Sequence, residues 1–146
     1  MNQLDKILLY IIRNWNIVGR KKLMKLMFLI NNYDVETDKV IQDSYLGLNF
    51  KIYSYGVYSD EVMKTYFRLY DEGKITEMTK PGNTDVSLKT NINVDLEDYE
   101  KSKIDSIMEK FNDKTGRDLE LSTLELLGLT LDTKLNHMGQ NISELL

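Results

Sequence analysis

Residues 53–75 read YSYGVYSDEVMKTYFRLYDEGKI. The stretch opens with three tyrosines, Tyr53, Tyr55 and Tyr58, around Gly56, a residue that can make a turn other residues resist. Ser59 is placed to cap the first turn of a helix, and Asp60 and Glu61 suit the positive end of its dipole. Val62, Met63, Tyr66, Phe67, Leu69 and Tyr70 then recur at helical spacing. This predicts one amphipathic helix over Asp60–Glu72 with those six residues on its buried side. Asp60, Glu61, Lys64, Thr65, Arg68, Asp71 and Glu72 form its exposed set, and Gly73 is the expected stop.

Immediately downstream, Ile75–Thr79 and Asp85–Thr90 read as short strands flanking Pro81-Gly82-Asn83, where Pro then Gly matches the central pair of a type II turn. A β-hairpin therefore follows the helix directly. Upstream, Phe50 and Ile52 alternate with Asn49 and Lys51, the pattern of a short strand. The polar segment 33–47 reads as a loop with a helical turn at Lys39–Gln42. Before it, Arg20–Asn32 has apolar residues over more than half its circumference and reads as the central, buried helix. Lys21, Lys22 and Lys25 are left for its exposed strip. A first helix spans Gln3–Trp15, and Asn14, Asn16 and Gly19 break it into a short connection. Trp15 and Phe28 are expected in the core.

Past the acidic link Val94–Glu100, a fourth helix covers Asp98–Asn112. A fifth starts at Thr115 or, with Ser122 and Glu125 as a capping box, at Ser122. The continuous face of Leu119, Thr123, Leu126, Leu127 and Thr130 favours the early start. The tail from Thr133 is weakly patterned, with a last turn at Ile142–Leu146. The fold expected is mainly α with a small β-hairpin. Helix, basic-led helix, strand, helix and hairpin make a winged-helix-like core over 1–94, and C-terminal helices over 95–146 form an acidic extension of the same single domain.

Composition narrows the chemistry. A chain of 146 residues, 42% hydrophobic and 29% charged, suits one soluble domain. The dense apolar run Ile7–Ile12 is far shorter than the roughly 20 residues that span a bilayer, and no signal-peptide pattern precedes it. A cytoplasmic location without membrane contact is expected. The chain has no cysteine and a single histidine, His137, so thiolate sites and cysteine nucleophiles are excluded. There is no Gly-rich phosphate loop, HExxH or EF-hand spacing, and the expectation is a protein without catalytic residues, metal or cofactor. Alanine, the favoured helix filler, is absent. Codon bias in an AT-rich genome, of a low-GC prokaryote, a mobile element or a virus, is the simplest cause. Residues 1–90 carry 13 Lys and Arg against 11 Asp and Glu, and residues 91–146 carry 6 against 12. The acidic end is thus poorly suited to nucleic acid.

GRKKLMKLMFLI, followed by FKIYSYGVYSDEV and LYDEGKI, resembles the small prokaryotic YwgA-like proteins and, more remotely, the Panacea antitoxin-like domains. The shared pattern is a G-R-x-K-L-x-K helix, an aromatic strand ending Y-G-P-Y-S, and a helix closing before G-K/L-I. GRDLELSTLELL resembles the family's leucine-rich fifth helix. The resemblance covers most of residues 15–130 and departs at Val57, where proline is usual. It implies a fold more than a function.

Two functions fit. One is a non-enzymatic winged-helix-like regulator that binds double-stranded DNA, as a homodimer, through Arg20, Lys21, Lys22, Lys25, Lys64, Arg68, Lys80 and Lys89. The alternative is an antitoxin-like or anti-defence module that docks a partner protein through Tyr53, Tyr55 and Tyr58, since exposed tyrosines suit protein interfaces. Two features count against DNA. Asp60 and Glu61 would meet phosphates at the start of the recognition helix, and Lys64 and Arg68 have carboxylates at i±4. The basic first turn Arg20–Lys22 fits either a solvated edge or an anion contact.

Overall fold

The structure is a computed structural model that describes residues 1–146 apart from Lys80 and Asn83. The elements run α1 (Gln3–Asn14), β1 (Ile17–Val18), α2 (Arg20–Asn32), β2 (Tyr33–Asp34), β3 (Lys39–Val40), β4 (Lys51–Tyr53), β5 (Gly56–Tyr58), α3 (Asp60–Asp71), β6 (Thr76–Thr79), β7 (Val86–Lys89), α4 (Asp98–Phe111) and α5 (Gly116–Leu126). Two 3₁₀ turns close the chain at Thr133–His137 and Ile142–Leu145. The protein is mainly α with small antiparallel sheets, and none of the described helices is long and apolar enough to cross a membrane.

Helix α2 lies at the centre, with α3, α4, α5 and β5 packed around it. Leu23, Leu26, Met27, Phe28, Leu29 and Ile30 are fully buried, and one apolar cluster runs from Leu4 of α1 to Ile142 of the tail. Phe28 meets Phe50 edge to face at 5.5 Å between centroids. Trp15, expected in the core, is only partly buried and packs at its margin against Tyr10, with centroids 5.9 Å apart. It ends α1 as an extended C-cap residue, and this places its ring at the rim.

The helix ends follow their sequence signals. Asn2 caps α1 by accepting from the Asp5 amide at 2.8 Å, Ser59 caps α3 through the Val62 amide, and Thr115 caps α5 through the Asp118 amide. At the end of α3, Gly73 takes φ +75°, its amide bonds the Tyr70 carbonyl at 3.0 Å and the Lys74 amide bonds the Leu69 carbonyl at 2.9 Å. This pair of bonds is a Schellman motif.

The hairpin β6–β7 pairs Thr76 with Lys89 through Thr79 with Val86. Gly82 has φ +77°, as the second central residue of a type II turn requires, while the neighbouring Asn83 lies outside the described residues. The connection between α1 and α2, expected as a plain link, contains β1. Ile17 and Val18 pair with Leu88 and Ser87, so the sheet order is β1-β7-β6. Two residues are too few for an alternation signal. The helical turn expected at Lys39–Gln42 is also corrected: Lys39 and Val40 pair with Asp34 and Tyr33 as β3 and β2. Asp38, at φ +58°, turns the chain between them. The single strand expected around Phe50–Ile52 is one arm of a hairpin, β4–β5, pairing Lys51 with Tyr58 and Tyr53 with Gly56.

Replacing Phe28 with Ala should lower the unfolding free energy by about 3–5 kcal/mol, because a fully enclosed ring leaves a cavity. Trp15→Ala should cost clearly less, since Trp15 is partly solvated already. Urea denaturation of both variants measures the difference, and equal losses would contradict the placement of Trp15.

Candidate functional site

The basic residues expected to form one surface are divided by the fold. Lys22 and Lys25, expected on the exposed strip of α2, are buried, at 8% and 4% exposure. The Lys22 ammonium donates to the Asn112 carbonyl at the end of α4 at 2.5 Å, and the Lys25 ammonium to the Gly116 carbonyl at the start of α5 at 3.2 Å. Desolvation pushes both ammonium pKa values down, opposed at Lys22 by Asp113 and at Lys25 by Glu120. The C-terminal helices pack over Lys22 and Lys25 and convert them from solvent-facing to structural, while Lys21 stays exposed.

Arg20 is exposed but engaged. Its guanidinium forms a forked pair with Glu77 of β6, at 2.7 and 3.0 Å, and lies over the Phe67 ring at 4.9 Å from its centroid. The Tyr66 hydroxyl donates to the same carboxylate at 2.7 Å. The Arg20 hydrogen bond, assisted by that of Tyr66, holds the Glu77 carboxyl below its usual pKa against the desolvation that raises it. Arg68 bridges Glu72 at 2.9 Å and also pairs with Asp5, a nearly buried carboxylate of α1. Arg68 therefore ties α3 to α1. Lys64 is exposed and has no ion pair among the described residues, Lys89 is exposed on β7, and Lys80 lies outside the described residues.

The three tyrosines come together with part of this set. Tyr53 and Tyr58 meet edge to face at 5.1 Å, and Tyr55, at 61% exposure, projects from the turn between β4 and β5. The Lys21 ammonium rests 3.2 Å from the centroid of the Tyr55 ring. With Arg20, Met24, Gly56, Val57 and Met63 these residues line a cleft of about 240 Å³. Tyr58 and Met63 also line a broader, shallower groove of about 630 Å³ that follows α3 past Lys64 and Phe67 to Asp71. Cleft and groove thus adjoin at Tyr58 and Met63.

Helix α3 forms the groove wall because it carries two apolar stripes. Val62, Thr65, Tyr66 and Leu69 face the core, whereas Phe67 and Tyr70, expected inside, are exposed. Met63, Phe67 and Tyr70 follow i, i+4, i+7 spacing and make a second stripe of their own. The apolar arc of the sequence was wider than one buried face needs, and that width was the signal for a second, outward stripe. Beneath the tyrosine turn, a feature unmarked in the sequence holds it from below. The Lys134 ammonium donates to the Ser54 carbonyl at 2.7 Å and pairs with Glu120 of α5 at 2.6 Å. Among the described residues no group of three His, Cys, Asp or Glu could hold a metal ion.

Glu77→Gln should lower stability at pH 7 by about 1–3 kcal/mol, because the Arg20 and Tyr66 donors lose a charged acceptor. The wild-type advantage should be fully present above the ordinary carboxylate pKa of about 4.3 and fade as pH falls through the lower folded value. Denaturation of both proteins from about pH 7 to pH 3 tests this, and a gap independent of pH would contradict it.

Comparison with curated proteins and with solved structures gives no match. A family model described as "Antitoxin SocA-like, Panacea domain" matches residues 23–125, from the first turn of α2 to the last turn of α5, and so takes in the tyrosine turn, α3 and the cleft lining apart from Arg20 and Lys21. That span is well over half of the chain, and the protein belongs to the antitoxin SocA-like Panacea domain family.

Proposed function

We propose that this protein is an antitoxin-like module that acts by binding a partner protein, without catalysis of its own, and that the partner docks on the surface made by the tyrosine turn and the outer stripe of α3. The observation that carries this is the exposure of Tyr55 and Phe67 along an adjoining cleft and groove, with Tyr70 exposed further along α3. Aromatic residues are the side chains enriched at protein interfaces, and a few of them supply most of the binding energy. Membership of an antitoxin-like family supports the same reading. The disposition of the cations supports it too, since Lys22, Lys25, Arg20 and Arg68 are engaged within the fold.

The product of the adjacent gene is the first partner to test, by co-expression and co-purification on a tag carried by this chain. Tyr55→Ala with Phe67→Ala should leave the fold intact, because both rings are exposed, and should weaken the complex at least about 30-fold if they are hot spots of about 2 kcal/mol. Retention of the partner by the double variant at wild-type strength would reject the docking face. A self-associating chain, detected by light scattering and lost in the same variant, would make the partner a second copy.

A DNA-binding regulator is the second reading, favoured by one observation. The β6–β7 hairpin follows α3 directly in the chain, as in a winged helix that presents this helix to a duplex. Of the cations expected at phosphates, Lys21, Lys64 and Lys89 are exposed, and Lys21 rests on the Tyr55 ring. Arg68 is unsuitable for this test, since its removal strands the Asp5 carboxylate. Lys64→Gln with Lys89→Gln should flatten the slope of log K against log salt by up to about two for a DNA binder. Duplex anisotropy across a salt series reads the slope, and no binding by the wild type at about 50 mM salt would exclude the regulator.

A further inference from the structure

Resting on the docking function proposed above, we infer that the cleft between α2 and the tyrosine turn is an anchor site for one apolar side chain of the partner, and that this anchor is flanked by acidic residues. Size argues for a single side chain. The cleft holds about 240 Å³, less than the roughly 300–1,000 Å³ of pockets that enclose whole small molecules. It matches the pocket into which an interface hot spot inserts, lined by Met24, Val57 and Met63 together with three tyrosines. The two methionines give the lining side chains that adapt to the shape of the anchor.

Charge argues for the acidic flank. Among the described residues the lining of the cleft contains no carboxylate, while Arg20 and Lys21 stand at its α2 end. The Arg20 charge is met by Glu77, but Lys21 has no described carboxylate within ion-pair distance and rests only on the face of Tyr55. A cation held on a ring remains able to pair with an anion on its open side. The first turn of α2 contains no acidic residue, and its N-cap, Gly19, contributes no side-chain acceptor, so the helix dipole adds to the same positive field. A carboxylate beside the anchor would be taken between these groups, whereas a lysine there would be repelled. The broader groove along α3 differs, since Asp60, Asp71 and Glu72 line it with Lys64 and Arg68. The acidic preference belongs to the cleft end alone.

The probe is a capped, fluorescein-labelled peptide with one tryptophan between glutamates, compared with the same peptide carrying lysines. Anisotropy with the full chain should show the glutamate peptide binding at least tenfold more tightly, with the difference shrinking as salt rises. Lys21→Met should remove most of that preference, whereas Lys39→Gln, an equal loss of charge on β3 beside the C-terminal end of α2, should leave it. Met63→Asp should weaken both peptides. Equal or tighter binding of the lysine peptide, no binding of either at 1 mM, or an undiminished preference in Lys21→Met would overturn the inference. Each of these results is separate from co-purification of the partner with Tyr55 and Phe67 variants, which decides whether the docking face itself is right.

Discussion

Almost every structural choice in this protein answers one constraint: α2 is enclosed on nearly all sides, yet it carries polar groups. Eleven of its thirteen residues are buried, among them Lys22, Lys25, Asn31 and Asn32. A buried polar group without a partner costs more than a made hydrogen bond gains, so each of these dictates what must lie beside it. Lys22 needs acceptors and receives the carbonyl end of α4, where the helix dipole is negative. Lys25 receives the Gly116 carbonyl, which fixes the start of α5. Asn31 accepts from the Ser44 hydroxyl at 2.7 Å and the Leu46 amide at 3.0 Å and donates to the Leu48 carbonyl at 3.1 Å. Asn32 holds Ile41 through both its backbone and its side chain. The irregular segment from Ile41 to Leu48 takes its shape from these two amides rather than from any secondary structure.

The same constraint sorts charge from aromaticity on the surface. With Lys22 and Lys25 turned inward and Arg20 and Arg68 clamping neighbouring elements, these four cations serve as internal ties. What remains outside along α3 is its second apolar stripe, adjoining the tyrosine turn. An arginine that bridges two elements and also stacks on Phe67 does two things at once. It holds β6 against α2, and it gives the exposed ring a fixed position before any partner arrives, which lowers the ordering cost of binding.

The chain after α5 supports this face from behind. The backbone of Ile52 in β4 is directed at the tail: its amide donates to the Gln140 carbonyl and its carbonyl accepts from the Gly139 amide. The Ile142 amide bonds the Phe50 carbonyl at 2.9 Å, and the Ile142 side chain is buried in the core. The tail so covers an edge that would otherwise expose unpaired groups. Lys134 completes the arrangement by bonding the Ser54 carbonyl at the tip of the turn between Tyr53 and Tyr55. The tail is outside the family-matched span, yet it is tied to the hairpin that carries the cleft tyrosines.

Local signals in the sequence determined the helices, their caps and the hairpin after α3, because each depends on residues within one or two turns of the chain. Ser59, Gly73 and the Pro81-Gly82 pair act on their immediate neighbours, and spacing alone marks α2 as the central helix. Tertiary structure decided everything that depends on distant partners. β1 and the β2–β3 pair are two-residue strands that exist only because a partner segment lies beside them. Whether Lys22 and Lys25 face water was settled by α4 and α5, which begin more than sixty residues later in the chain. The inward and outward stripes of α3 are chemically alike, with tyrosine in both, and only the packing of α1 and α2 against one of them distinguishes core from surface. Periodicity reports that a face is apolar, but burial requires a second surface to cover it, and that second surface is supplied by the fold.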